Sequence, residues 1–413
     1  MNNNLKLFRT ILIVSIFVKI IAVLIFYEED LRGEWLILFN NFEKFKMFSY
    51  YTLESQNIPT SYMPPLYFMF LYMNKLLSFN LFNFIYLVYF SQILISTISV
   101  ILFNKICLQF FNKKISLIGT AIFAFFPLLI FSNALISSAC IQIFFYLLFI
   151  NFSLKVIGEK KKINILLFSL ICSSCLLLRG EFVVIFILTL IFFLFLCKNK
   201  IKFSMLLLLS TLLIISPYLL RNYNNTGKLH IINVSGYALW KGNNHLSKIE
   251  GYAYTFHPNN RNKWPNYSEF DQLYNNLDNI KINNKYEINR DKIFFNEAKK
   301  NILENKTKYF ILYLKKVASY YFIDTNSTLN NYYNPLHIIP VVLLAILALP
   351  GLIIGVLLKK NKKFIYLSIL MFSLIFLISI FFILPRYKIT IIGFQIIFSL
   401  YFIEYVFNKF KRK

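Results

Sequence analysis

Runs of about 18 or more nearly uncharged residues recur along the chain, the length an α-helix needs to cross a bilayer core. They cover 10–27, 82–104, 117–134, 137–154, 203–220, 340–358, 364–384 and 389–407. The stretch 163–197 is too long for one crossing and is broken near its middle by Arg179, Gly180 and Glu181, so it reads as two. The pattern predicts an all-α polytopic membrane protein with about ten transmembrane helices. Two long polar segments, 28–81 (loop 1) and 221–338 (loop 4), stand outside the bilayer. The chain therefore divides into an N-terminal transmembrane module over 1–220, a large loop over 221–338 and C-terminal transmembrane helices over 339–413.

Within the loops, "YMPPLYFMFLY" (62–72) carries Pro64 and Pro65. Neither proline can continue a helix from upstream, but Pro65 can begin one. The apolar run that follows is too short to cross before Lys75, which predicts an interfacial helix. The stretch "RDKIFFNEAKKNILENKTKYFILYLKKVASYYF" (290–322) has apolar residues at helical spacing on one face, which packs on other loops or lies along the membrane. No internal repeat of the transporter kind is present.

Charge orients these elements. A formal net charge of +26 would suit nucleic acid if it formed a patch. It is instead distributed in short inter-helix segments: Lys6 and Arg9; Lys105, Lys113 and Lys114; Lys155 and Lys160–Lys162; Lys198, Lys200 and Lys202; Lys359–Lys363; and Lys409–Lys413. The positive-inside rule makes all six cytoplasmic, with both termini, and turns loops 1 and 4 outward. The first apolar segment lacks a small-residue cleavage site and reads as a retained helix. The bias toward Lys, Asn, Ile and Phe points to an AT-rich bacterial genome. Cys107, Cys140, Cys172, Cys175 and Cys197 lie in or beside apolar runs, and the Cys172–Cys175 pair reads as core packing rather than metal or redox chemistry. Trp35, Trp240 and Trp264 fall in the outer loops, where an indole serves as an interfacial anchor or a sugar platform.

Candidate chemistry gathers at the outer helix ends. "YEEDLRGEW" (27–35) places Glu28, Glu29, Asp30 and Glu34 just beyond the first crossing. On a helix Asp30 and Glu34 share a face, and acids beside low-dielectric lipid have the raised pKa a general base needs. Eight of the 44 basic residues are arginine, and three of them, Arg179, Arg221 and Arg386, end outer crossings, with Lys388 close by. Snorkelling anchors would not require arginine in so lysine-rich a chain. A planar fork that binds phosphate oxygens in pairs does. The crossings themselves read as nearly charge-free until their outer ends, which argues against transport.

In these blocks the chain resembles the polyprenyl-phosphate-sugar-dependent glycosyltransferases of the GT-C superfamily. It is most similar to bacterial relatives of dolichyl-phosphate-mannose protein mannosyltransferases, which include the lipid A aminoarabinose transferases. Five blocks run in order: "EEDLRGEW", "MPPLYFMFLY", "LLRGEFVVIF", "SPYLLRNYNNTGKL…ALWKGNN" and "LPRYKITIIGFQIIF". The family often has Arg-Pro-Glu where this chain has Arg179, Gly180 and Glu181. The resemblance implies inverting transfer of a sugar from a polyprenyl-phosphate donor to a lipid, glycan or protein acceptor, with no nucleic acid involved. Asp30, Glu34 or Glu29 is then the base, and Arg221, Arg386, Arg179 and Lys388 hold the donor phosphate. Tyr67, Asn222, Tyr223, Trp240, Asn243 and Tyr387 shape the pocket. No cofactor is implied by the motifs and no histidine-built metal site is expected, though loop 1 acids are compatible with a divalent ion. A polysaccharide polymerase or ligase using a lipid-pyrophosphate donor is the alternative, and a lipid-linked sugar flippase a further one.

Overall fold

The computed structural model describes residues 2–410, apart from 54–55, 80, 159–161, 197–199, 252–269, 328 and 330–331. Trp264, Cys197, Lys160, Lys161, Lys198 and the C-terminal Lys411–Lys413 segment lie outside the described residues. The fold is almost entirely helical. In chain order it runs α1 (Asn2–Phe26), α2 (Gly33–Phe45), the hairpin β1 (Ser49–Leu53) and β2 (Gln56–Pro59), α3 (Pro65–Leu77), α4 (Phe84–Cys107), α5 (Lys113–Ala124) and α6 (Pro127–Phe131). Then come α7 (Ala139–Gly158), α8 (Lys162–Leu178), α9 (Phe182–Leu196), α10 (Lys200–Thr226), α11 (Ser235–Gly242), α12 (Asp271–Asp278), α13 (Tyr286–Glu304) and α14 (Lys306–Tyr321). The last elements are α15 (Pro335–Leu352) with a π-helical extension (Ile353–Leu358), α16 (Lys362–Ile380), a 3-10 turn (Pro385–Lys388) and α17 (Ile389–Phe410).

Among the described residues, seven helical stretches are long and apolar enough to cross a membrane: α1, α4, α7, α10, α15 with its extension, α16, and α17 with the turn before it. The chain is a multi-pass membrane protein. Two further apolar helices, Ile163–Leu178 and Phe182–Phe195, are shorter. The expected crossing at 117–134 is not one helix. Phe126 precedes Pro127 and takes an extended conformation, as the proline ring demands, so α5 ends and α6 starts afresh. At 12 residues α5 is about 18 Å long, well short of a bilayer core.

The abundant asparagines have a structural use. Asn83, Asn112, Asn305, Asn334 and Asn361 cap α4, α5, α14, α15 and α16 by accepting from first-turn N–H groups. Asn305 also divides 290–322, expected as one amphipathic stretch, into α13 and α14. Helix α3 begins at Pro65 as expected. The hairpin in loop 1 was not foreseen; its strands pair antiparallel with an irregularity between Ser49 and Tyr51.

Two cores result. One lies within the bundle and gathers α4, α5, α7–α10 and α15–α17. Gly351 lets α15 and α17 approach closely, since a Cβ there would lie 1.8 Å from the Phe398 carbonyl oxygen. The second joins Leu38, Tyr51 and Tyr67 of loop 1 to Tyr237, Trp240 and Phe294 of loop 4. Loop 4 is thus packed on loop 1 rather than standing apart. Between α4 and α5, Phe110 meets Phe364 of α16 at 5.1 Å between ring centres, and Phe364 meets Tyr401 of α17 at 4.3 Å.

Candidate functional site

The 3-10 turn Pro385–Lys388 sits where loop 4 meets the bundle. Its strand-like approach pairs with Glu250, and the Gly251 N–H donates to the Ile383 carbonyl at 2.8 Å. Lys388 turns inward and forms a fully buried ion pair with Glu250, Nζ to Oε1 2.8 Å. Ser319 donates to the same carboxylate oxygen at 2.9 Å and Tyr333 to the other at 2.5 Å. Burial and that bond to Glu250 raise the Tyr333 phenol above its ordinary value. Lys388 is therefore committed to the protein.

Its neighbours are arranged differently. The Tyr387 ring has two guanidinium groups over it, Arg179 at 5.8 Å and Arg386 at 5.9 Å from the ring centre. Arg179 is half-buried and bonds Glu181 through Nε at 2.7 Å. Arg386 is exposed and has no hydrogen-bond or ion-pair partner among the described residues. Tyr320 fixes the turn from below, donating to the Tyr387 carbonyl at 2.9 Å.

Arg221 lies elsewhere. Its Nη1 donates to the Thr60 carbonyl at 2.6 Å and to Asn222 Oδ1 at 2.9 Å, and Nη2 to the Phe48 carbonyl at 3.1 Å. It clasps both ends of the loop 1 hairpin. Asn222 is buried and donates to the His230 carbonyl. Beside them is a cluster that sequence reasoning missed. Glu287 of α13 accepts from the Thr60 hydroxyl and from the Ser61 N–H at 2.9 Å. Burial pushes its carboxyl up to about 7, against the pull of these bonds and of Arg290. Arg290 is sandwiched among Tyr51, Tyr237 and Phe294 at 4.9–5.4 Å. Asp291 accepts from the N–H groups of Gly236 and Tyr237 at the start of α11. The signal was present as Glu287, Arg290 and Asp291 within one turn of an otherwise apolar-striped helix.

The loop 1 acids separate. Helix α2 starts only at Gly33, so Asp30 lies in the turn before it and the expected shared helical face with Glu34 does not form. Asp30 is exposed and makes no hydrogen bond or ion pair among the described residues. Glu34, in the first turn of α2, is half-buried and close enough to Tyr50 and Tyr62 to act on both phenols electrostatically. Glu28 pairs with Arg32 at 3.1 Å, and Glu29 accepts from Tyr27 at 3.1 Å. No group of three or more His, Cys, Asp or Glu side chains suited to a metal occurs among the described residues. A line of rings connects this turn to the arginines: Phe26 meets Phe131 at 5.3 Å, Phe131 meets Tyr332 at 5.9 Å, and Arg386 acts on Tyr332.

Of the expected pocket residues, Tyr67 and Trp240 are fully buried in the shared loop core, Tyr67 against Trp35 at 4.7 Å. Asn243 is buried and donates to the carbonyls of Leu239 and Ile380. Gly242 beside it allows that approach, since a Cβ would lie 2.5 Å from Phe381 backbone atoms. Tyr223 is 51% exposed and Tyr387 half-buried, so these two alone of the six reach a surface. The structure brings Arg179, Arg386, Tyr387 and Lys388 together and sets Arg221 and Asn222 with the hairpin. No family model matches the chain, and no curated protein matches it in sequence.

Proposed function

We propose that the protein is a membrane glycosyltransferase of GT-C type that moves a sugar from a polyprenyl-phosphate donor to an acceptor hydroxyl. In this reading it crosses the membrane ten times, through the seven long helices, α8, α9 and the broken α5–α6 pair. Both termini are cytoplasmic and the site faces outward, as the lysine distribution requires. A cysteine at 112 reached from outside by an impermeant thiol reagent would overturn that orientation.

The observation that carries the reading is Arg386. It is exposed at the loop end of the bundle, lacks a partner among the described residues, and shares the Tyr387 ring with Arg179. An uncommitted guanidinium beside a second one suits an anionic phosphate, and an aromatic line joins it to the acidic turn after α1. In the reaction the acceptor oxygen attacks the anomeric carbon and the bond from that carbon to the phosphate oxygen breaks. A loop 1 carboxylate takes the hydroxyl proton, and polyprenyl phosphate leaves, held by Arg386 and Arg179. Arg221 supports the site by fastening the hairpin that lies against Glu34.

The test uses purified protein and a synthetic polyprenyl-phosphate sugar, reading release of polyprenyl phosphate. Arg386→Lys keeps the charge and loses one charge-assisted bond, so transfer is expected to fall about 10- to 100-fold. Arg9→Lys, at the opposite end of α1, is expected to be silent. Full activity in Arg386→Lys would remove the phosphate clamp. A second reading, a lipid-linked sugar flippase, draws support from Lys19, a charge inside α1 that departs from the expectation of charge-free crossings. It predicts movement of the donor across vesicles without release of polyprenyl phosphate.

A further inference from the structure

Helix α1 buries the stripe Ile11, Ser15, Lys19 and Ala22 and exposes Ile13, Phe17, Ile20, Ile21 and Leu24. Lys19 therefore points into the bundle, not to lipid. It lies seven residues before the helix end at Phe26, about 10 Å along the axis, too deep for simple interfacial anchoring on the protein side. The residue is 2% exposed, and its ammonium has no hydrogen-bond partner among the described residues.

Among the described residues no carboxylate faces it. Helix α1 carries no Asp or Glu, and none occurs anywhere from residue 55 to residue 158, which includes α4, α5, α6 and α7. These are the helices that surround Lys19. The carbonyl end of α5, at Phe123 and Ala124, contributes partial negative charge, but a helix end supplies only about half an elementary charge. A lone ammonium in a bilayer-spanning bundle is costly unless something neutralises it.

A crevice is present where the partner would sit. Lys19, Ser96, Ser99, Ser132 and Cys140 line it, at the break between α5 and α6 and beside the first turn of α7. Its free volume of about 10 Å³ accepts one particle of roughly water size. Ser99 and Ser132 give their protons to the carbonyls of Ile95 and Leu129. The Ser96 hydroxyl makes no hydrogen bond among the described residues, so it and the ammonium are the donors that face the space.

We propose that this crevice binds one small monovalent anion, of the size of chloride, which neutralises Lys19 inside the bundle. Charge selects an anion over water, and so small a space favours a monatomic ion over sulfate or a phosphate ester. The ion would tie α1 to α4 and α7 at the one place where α5 and α6 break, and it does not depend on the transfer reaction.

The test is thermal unfolding of the purified full chain in detergent, with chloride replacing gluconate at constant ionic strength. The unfolding temperature of the wild type is expected to rise saturably by about 2–4 °C, with bromide acting like chloride and sulfate having no such effect. Lys19→Met is expected to abolish the preference for chloride. It should also unfold no lower than wild type in gluconate, because it removes an uncompensated charge. The wild type alone can overturn the proposal, whether or not the variant folds. A flat chloride titration means a neutral amine or a water in the crevice. An equal response to sulfate means screening of the surface charge, and a response confined to phosphatidylglycerol means a lipid headgroup. The same chloride shift in Lys19→Met as in the wild type would overturn it as well.

Discussion

Glu34→Gln is expected to slow sugar transfer by about 10²–10⁴-fold, the range a positioned general base contributes. The amide keeps the shape of the side chain and cannot accept the acceptor's proton. Glu34 is the best placed of the three candidate acids; Glu29 is exposed and accepts from Tyr27. Glu34 sits in the first turn of α2, half-buried and near Tyr50 of the hairpin and Tyr62 just beyond it, whereas Asp30 is exposed in the preceding turn. A base needs a fixed position as well as a carboxylate, and the hairpin supplies one through Arg221 and Glu287. Asp30→Asn is therefore expected to have the smaller effect. The readout is kcat against the KM for donor, at matched folded concentration. Loss of the base lowers kcat and leaves donor KM nearly unchanged, while a disturbed hairpin would change both. Wild-type turnover in the double variant Asp30→Asn, Glu34→Gln would sink the assignment of the base to loop 1.

What the sequence made legible was local. Apolar runs located the helices, and Pro65 marked the start of α3, because periodicity and proline geometry act over a few residues. The break at Phe126–Pro127 was equally local, and the length of the apolar run concealed it. Lys19 was concealed in the same way, as one charge in an otherwise apolar segment. The remaining features depend on partners distant in the chain. Arg221 was expected to face a phosphate, yet it reaches Thr60, 161 positions away, through a main-chain carbonyl that every residue possesses. No residue type advertises such a partner. The hairpin's Tyr50, Tyr51 and Thr52 are strand-prone, but strands of five and four residues are too short to show a period, and the hairpin is held by Glu287 and Arg290 of loop 4. At the candidate site Arg386, Lys388 and Arg179 are adjacent, but Lys388 is taken up by Glu250, while Arg179 gives only its Nε to Glu181.

Glu250→Ala is expected to destabilise the protein by about 3–5 kcal/mol, the cost of stranding one member of a buried ion pair. Both side chains are out of solvent, 3% and 0% exposed, so the Lys388 ammonium would have no water to replace the carboxylate. The Ser319 and Tyr333 hydroxyls, which now donate to Glu250, would lose their acceptor at the same time. Replacing both charges with apolar side chains of similar size, Glu250→Leu with Lys388→Met, is expected to recover most of the loss, because no charge is left buried. Denaturant unfolding in detergent of the two single variants and the double variant gives the coupling directly. The pair also holds Glu250 of loop 4 to the turn that carries Arg386. The double variant should therefore regain stability while transfer stays reduced, since its turn keeps the Tyr320 bond but loses the charged one that fixes Lys388 beside Arg386. A single variant costing less than about 1 kcal/mol would place the pair in solvent, where surface ion pairs contribute that little. Recovery of both stability and transfer in the double variant would mean that packing alone fixes Arg386.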